Sequence, residues 1–441
     1  MQVSVETTSA LERRMTIGVP ADKIDSAVES KLAQTAKQVR LDGFRPGKVP
    51  MREVRRRFGK AIREEVIGEI VSNSFYEAMT EKALNPAGYP AIERTKDAPG
   101  EDLEFVATFE VYPEVAITGL DQIKVVRPVS EISEADIDAM IVRLREQRAT
   151  FVDVDRAAQN DDQVIIDFVG TKDGEAFQGG SGENHKLVLG SGSMIPGFEE
   201  GLVGATKGEE RVLSLTFPEN YHAEELKGQA VQFAVTVKAV QEKQLPEVNE
   251  EFIKTFSPKD PTLENFRSEI RDNMERELQN AIKNRVKKQV MDGVLAQNEV
   301  DVPKALLDSE IDRQRKQMVQ QFGGGANFDY RTLPAELFEK QASRAVKLAL
   351  LLGELIKERE IKADATRVRS AVEEMAKPYE NPEQVVSWYY ENEQLLQQVE
   401  AMVLEDQVVD VILEQAQMSE ETMSYEDVVR AQPEEEEAGE E

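Results

Sequence analysis

Cysteine and histidine, the usual thiol nucleophile, redox group and nitrogen or sulfur metal ligands, are nearly missing from this chain. It has no cysteine, which removes thiol nucleophiles, disulfides and cysteine metal sites together and points to a reducing compartment. His185 and His222 are the only histidines, and they stand too far apart in motif terms for a metal site. Ser181 and Ser193 lie among glycines with no histidine or acid in nucleophile-elbow order, and no GxxxxGKS/T phosphate loop is present. Neither class of catalysis is expected, and no cofactor or metal. Two other concentrations remain. One is aromatic, spread over VIIDFVGTKDGEAFQGG (164–180), LVLGSGSMIPGFEEGLVGATKGEERVLSLTFPENYH (187–222) and VQFAVTVKAV (231–240). The other is basic: between Lys37 and Arg63 ten basic residues face two acidic ones, a net of +8 in a chain of net charge -30, which leaves -38 for the rest. A polyanionic partner would be repelled by most of such a protein and attracted to that one patch.

Taken singly, the aromatics read as the core of a small β domain. Taken in order and spacing, with MIPGFEEGL among them, the three stretches resemble the FK506-binding type of peptidyl-prolyl isomerase over roughly 90 residues. The resemblance implies a curled antiparallel sheet around a short helix, with a cleft between them lined by Phe168, Phe177, Met194, Ile195, Phe198, Tyr221 and Phe233. It also implies that the backbone N–H of Ile195 holds the carbonyl before the substrate proline and that the Tyr221 hydroxyl holds a neighbouring carbonyl. Where drug-binding members have Tyr, Asp and Trp, this chain has Phe168, Gln178 and Phe198, so their macrolide affinity does not carry over. The implied chemistry needs no nucleophile. The prolyl bond must twist through about 18–20 kcal/mol, and a planar amide owes its stability to charge-separated resonance, which a dry apolar pocket disfavours.

The elements that would position these residues can be read from periodicity. Val3 and Val5, then Leu11, Met15, Ile17 and Val19, suggest two strands; Leu103, Phe105, Ala107, Phe109 and Val111 alternate more cleanly. Between them lie two helical patterns, Ile24 to Val39 and Val54 to Phe75, joined by GFRPGKVP (43–50). A strand-like IKVVRPV and a helix from about Ser133 to Arg148 follow, then the glycine-rich β texture of 151–244. Beyond Pro246 the chain reads as helical to Met423. Phe266, Ile270, Met274, Leu278, Ile282, Val286, Val290 and Val294 recur at every fourth position, a stripe that winds about 40° per step around one long helix. Further helices are expected at 303–321, 334–360, 365–376, 382–398 and 399–416, and the last eight residues, six of them glutamate, as a solvated tail.

GFRPGKVP resembles the docking signature GFRxGKxP of the trigger factor family of bacterial ribosome-associated chaperones. NPAGYP (85–90), FEVYPEV (109–115), NMEREL (273–278) and VDVP (300–303) extend the likeness over essentially the whole chain. It implies an α+β multidomain protein: an N-terminal α+β ribosome-docking domain (1–112), a connector packing with the C-terminal body (113–150), an isomerase domain (151–245), an all-α chaperone body with arms (246–432) and an acidic tail (433–441). The docking residues would be Gly43, Phe44, Arg45, Pro46, Gly47 and Lys48. Here Phe44 offers an apolar anchor, Arg45 and Lys48 contact RNA phosphates or acidic side chains, and Pro46 stiffens the loop at a position that is often basic in the family.

Its partners would be the ribosome near the tunnel exit and nascent or unfolded chains. Met274, Leu278, Met318, Phe322, Met375, Met402 and Leu404 are candidates for adaptable apolar patches that would hold those chains without ATP. No stretch approaches a membrane span, and the reading is cytoplasmic. Whether the free protein forms a homodimer is left open. A stand-alone isomerase with a holding or dimerising helical region is the alternative, and direct RNA binding is a third reading that the charge outside the patch opposes.

Overall fold

The computed structural model describes residues 1–40, 44, 49–221, 223–257, 259–322, 328–377, 379 and 381–430. The acidic tail expected at 433–441 lies outside them, as does all of 43–48 except Phe44. The chain divides into two compact units, Met1–Arg127 with Lys283–Glu421, and Pro128–Ile282 with the chain from Thr422.

In the first unit, β1 (Gln2–Thr7), β2 (Glu12–Val19), β3 (Ala91–Lys96) and β4 (Leu103–Glu110) form an antiparallel sheet in the order β1-β2-β4-β3. Strand alternation puts Met15, Ile17 and Val19 of β2 on the same buried face as Leu103, Phe105, Ala107 and Phe109 of β4. Two helices, α1 (Ala21–Gln38) and α2 (Met51–Glu81), cover that face; Val54, Ile62, Val66, Ile70 and Phe75 of α2 recur at helical spacing and join the same core. The unit also holds the helices α7 (Lys304–Gln321), α8 (Glu336–Glu358), α9 (Ala365–Ala376), α10 (Pro382–Glu391) and α11 (Glu393–Leu413). The Glu110 carboxylate accepts the Ala305 N–H at the start of α7 at 3.1 Å, and beside it Gly88 has no room for a side chain, since a Cβ would stand 2.4 Å from that of Ala305.

The second unit contains α3 (Glu134–Gln147), started by a reciprocal capping box between Ser133 and Asp136. It continues through β6 (Thr150–Asp153), β7 (Gln163–Lys172), β8 (Glu175–Val188), α4 (Phe198–Leu202), β9 (Glu210–Thr216), β10 (Ala230–Gln244), α5 (Glu250–Lys254) and, near the C-terminus, α12 (Tyr425–Val429). The sheet order is β6-β10-β7-β8, with β9 on the other part of β10, and every pairing is antiparallel. Val164, Ile166, Leu187, Phe198, Leu202, Val235 and Val237 form its buried centre.

The long helix α6 (Leu263–Gln297) buries all eight residues of the fourfold stripe. In the second unit Phe266 meets Phe252 and Phe256, with ring centroids 6.1 and 5.9 Å away. In the first unit Gly293 lets Ile123 approach, its Cγ2 lying 2.5 Å from where a Cβ would stand. A turn beyond, Asn298 is only 6% exposed; its amide accepts the Thr118 N–H at 2.8 Å and donates to the Thr118 carbonyl at 3.2 Å. Asn298→Ala would strand both backbone groups, so we expect it to cost about 1–3 kcal/mol. A lowered urea midpoint by helical circular dichroism would register this; an unchanged midpoint would show that water replaces the amide.

Two sequence expectations are corrected. The helix break expected at 398/399 falls at Asn392, whose backbone leaves the helical region (φ -108°, ψ 98°) and whose side chain caps α11 by accepting the Leu395 N–H. Residues 393–398 therefore belong to α11. Gln417–Thr422, expected within the helical part, is a strand, β11, paired with β5 (Lys124–Val129); the Gln417 N–H donates to the Ile123 carbonyl at 2.8 Å. A distant partner decides this strand, and nothing local in QMSEET announces it.

Candidate functional site

Between the concave side of the β7–β10 sheet and the short helix α4 lies a cleft of about 450 Å³. Phe168, Phe177, Met194, Ile195, Phe198, Tyr221 and Phe233 all line it. Phe198 and Phe233 are buried and form the floor, with ring centroids 5.3 Å apart at 81°. Phe168 stands edge-on to both at 5.9 and 6.1 Å, and Phe177 meets Phe233 at 6.0 Å. These edge-to-face contacts fix the rings against one another, which a loose apolar cavity would not do.

Glycines in and just after the first motif make room for this. A Cβ at Gly170 would stand 2.7 Å from the rings of both Phe177 and Phe233, and one at Gly182 would stand 2.8 Å from Phe168. Both lie where the β7–β8 register shifts, so the strand bends while the rings turn inward.

Two further groups belong to the site that sequence reasoning missed. Phe217 lines the cleft, stacks against Tyr221 at 4.5 Å and meets Phe177 at 6.0 Å; its position at the end of β9, before ENYH, gives no separate signal. Glu199, beside Phe198, is 5% exposed, and its carboxylate accepts N–H groups from Gly190 (2.8 Å), Gly192 (3.1 Å), Ser193 (2.9 Å) and Met194 (3.2 Å). Burial alone would push this carboxyl up. The N–H groups of Gly192, Met194 and Gly190 and the Ser191 hydroxyl outweigh burial and hold it below the usual carboxylate range. A buried acid cannot be told from a surface acid in a single GFEE stretch.

His185 is exposed, edge-on to Phe168 at 5.8 Å; His222 lies outside the described residues. Among the described residues no group of three or more histidines, aspartates or glutamates could hold a metal ion. No helix of the described residues is long and apolar enough to cross a membrane.

Of the loop expected to dock, Phe44 is described and is 37% exposed; Gly43, Arg45, Pro46, Gly47 and Lys48 lie outside the described residues. The helix that follows, α2, carries Arg52, Arg56 and Lys60 on one exposed face, although Arg56 is paired with Glu53 at 2.6 Å and Arg55 with Glu29. Among the candidate apolar patches, Met274 and Leu278 are buried in the α6 stripe, Met402 and Leu404 are half-buried, and Met318, Phe322 and Met375 are exposed.

A short helix under a bent antiparallel sheet, with an aromatic cleft between and no nucleophile in it, defines an FKBP-type domain; residues 154–238 match the family profile described as "FKBP-type peptidyl-prolyl cis-trans isomerase". Residues 1–144 match the profile "Bacterial trigger factor protein (TF)" and residues 262–414 that of its C-terminus. Relatives named "Trigger factor" from Alcanivorax borkumensis and Pseudomonas putida are 56% identical over 430 residues, and one from Pseudomonas syringae is 55% identical; each alignment covers 98% of both chains. The chain belongs to the bacterial trigger factor family. Its fold is similar to that of the solved structure titled "Promiscuous Substrate Recognition in Folding and Assembly Activities of the Trigger Factor Chaperone", with TM-score 0.50 and 17% identity over 94% of this chain and 99% of that one.

Proposed function

We propose that this protein is an ATP-independent, cytoplasmic, ribosome-associated chaperone that holds nascent chains at the tunnel exit and isomerises their peptidyl-prolyl bonds. The observation that carries the isomerase half is the cleft: seven residues from separated motifs converge on one apolar cavity whose floor is two buried phenylalanines. A proline ring seated on Phe198 and Phe233 would place its preceding amide against Met194, Ile195 and Tyr221. There the Ile195 N–H and the Tyr221 hydroxyl would hold the flanking carbonyls while the walls exclude water from the amide oxygen. Removing water disfavours the charge-separated planar amide relative to the twisted one, so the barrier falls without a covalent step. No ionised group is needed.

The chaperone half is supported by apolar side chains left exposed on the helical part, including Phe322 at 79%, Leu337, Tyr379 and Trp388. They are scattered, which suits weak reversible contacts with clients of varied sequence. The docking half rests on the basic segment in an otherwise acidic chain. The test is direct. With no nucleotide present, the full chain should speed cis/trans exchange of a short Xaa-Pro peptide and keep an unfolded client from aggregating; exchange at the uncatalysed rate would sink the isomerase assignment.

A further inference from the structure

We propose that Glu199 is a positioning residue of the cleft, its buried carboxylate holding residues 190–194 in the arc that delivers Met194 and Ile195 to the cleft wall. The inference rests on the isomerase reading above. Four backbone N–H groups of a five-residue arc converge on one carboxylate, and the hydroxyls of Ser191 and Ser193 add contacts at 3.2 and 3.3 Å. No described cation forms an ion pair with Glu199, so this arc supplies the compensation for its burial. Gly190 and Gly192 both have left-handed backbones (φ 88° and 68°), which turn successive N–H groups toward one point.

A buried carboxylate is costly unless several donors converge on it, and the chain could cap five residues of loop far more cheaply with a serine or a water. The charge adds stiffness. Hydrogen bonds to an ionised acceptor are roughly twice as strong as neutral ones, and four of them to one rigid side chain leave the arc little freedom. Glu199 is also the neighbour of Phe198, whose N–H donates to the Ile195 carbonyl at 3.1 Å. One short helix therefore presents the floor of the cleft on one side and grips the back of its wall on the other. Both Met194 and Ile195 follow directly from the gripped arc, so their placement against a bound amide depends on it. Catalysis by positioning is sensitive to displacements of about 1 Å, which can cost about 100-fold in rate.

Glu199→Gln in the full chain is the test. Glutamine keeps the length but has one acceptor oxygen, so at least two of the four arc N–H groups would face an amide donor. We expect kcat/KM for a short Xaa-Pro peptide to fall about tenfold or more, mainly in kcat, with faster amide exchange at Gly190, Gly192, Ser193 and Met194. Val240→Ala, which opens a cavity in the same core well away from the cleft lining, serves as the stability control and should keep kcat/KM within about twofold. Should Glu199→Gln not fold, Glu199→Asp keeps the charge but pulls the arc inward by one methylene, and a loss of kcat is again expected. Wild-type kcat/KM in the glutamine or the aspartate variant overturns the inference, as does an equal loss in Val240→Ala. A wild-type chain that fails to isomerise the peptide overturns instead the reading on which the inference rests.

Discussion

Replacing Phe44, Arg45 and Lys48 together by alanine is expected to abolish co-sedimentation with ribosomes at about 0.15 M salt and leave isomerisation of a short proline peptide unchanged. The charge distribution is the reason. With about -38 outside the segment from Lys37 to Arg63, the rest of the protein is repelled by ribosomal RNA, and the segment has to supply all of the attraction. Each phosphate contact contributes through counterion release, so losing two cations lowers both the affinity and its salt dependence. In the proposed docking Phe44 would supply the apolar anchor; a large aromatic at the centre of a small interface typically carries about 2 kcal/mol or more. Together these changes correspond to at least about a hundredfold in Kd. The basic residues of α2 remain, so weak association at low salt should persist and vanish at about 0.15 M. Undiminished co-sedimentation of the triple variant at that salt would refute docking through this loop. Equal affinity of the wild type for free RNA and for ribosomes would favour the RNA-binding reading instead.

Much of the architecture is legible in the sequence because burial imposes a period. The alternation of Met15, Ile17 and Val19 and of Leu103 to Phe109 gives β2 and β4, and the fourfold stripe gives α6 with every member buried. What escapes is decided by a partner far along the chain or by one polar atom. The residues of β11 carry no strand period and are set by β5. The α10–α11 break is set by the Asn392 side chain, inside a short polar stretch, ENEQ, that could equally continue a helix. The same division holds in the cleft. Its aromatics can be named as a set through the motifs' resemblance to the FK506-binding family, whereas Glu199 is indistinguishable by type from Glu200, which caps its own helix at Gly197. Within the patch candidates, Met274 and Leu278 face the core and Met318 and Phe322 face solvent, a difference of helical phase that needs the neighbouring elements to be known.

Excising residues 151–244 is expected to remove isomerisation completely and to leave suppression of aggregation of a proline-poor client within about twofold. The excision is structurally clean. Thr150 is paired with Gln244 across β6 and β10, so the retained ends, Thr150 and Leu245, are separated by that pairing and one further residue, and a short linker joins them. All of the apolar residues in the buried cluster around Phe198 and Phe233, and those packed against it, fall between 154 and 240. The segment therefore takes its own core away and opens no cavity elsewhere. The contacts that flank it stay: Arg145 Nε donates to the Pro246 carbonyl at 2.7 Å, and Phe252, Phe256 and Phe266 keep their cluster. Isomerisation should then return to the uncatalysed scale of tens of seconds, since the aromatic cleft leaves with the segment. Holding should persist because Phe322, Leu337, Tyr379 and Trp388 all lie outside the excised segment. If holding instead disappears with 151–244 while the remaining helices stay folded by circular dichroism, clients are held in the prolyl cleft itself. The protein would then be an isomerase with a helical scaffold, and the exposed Leu337 of α8 and Trp388 of α10 would need another role.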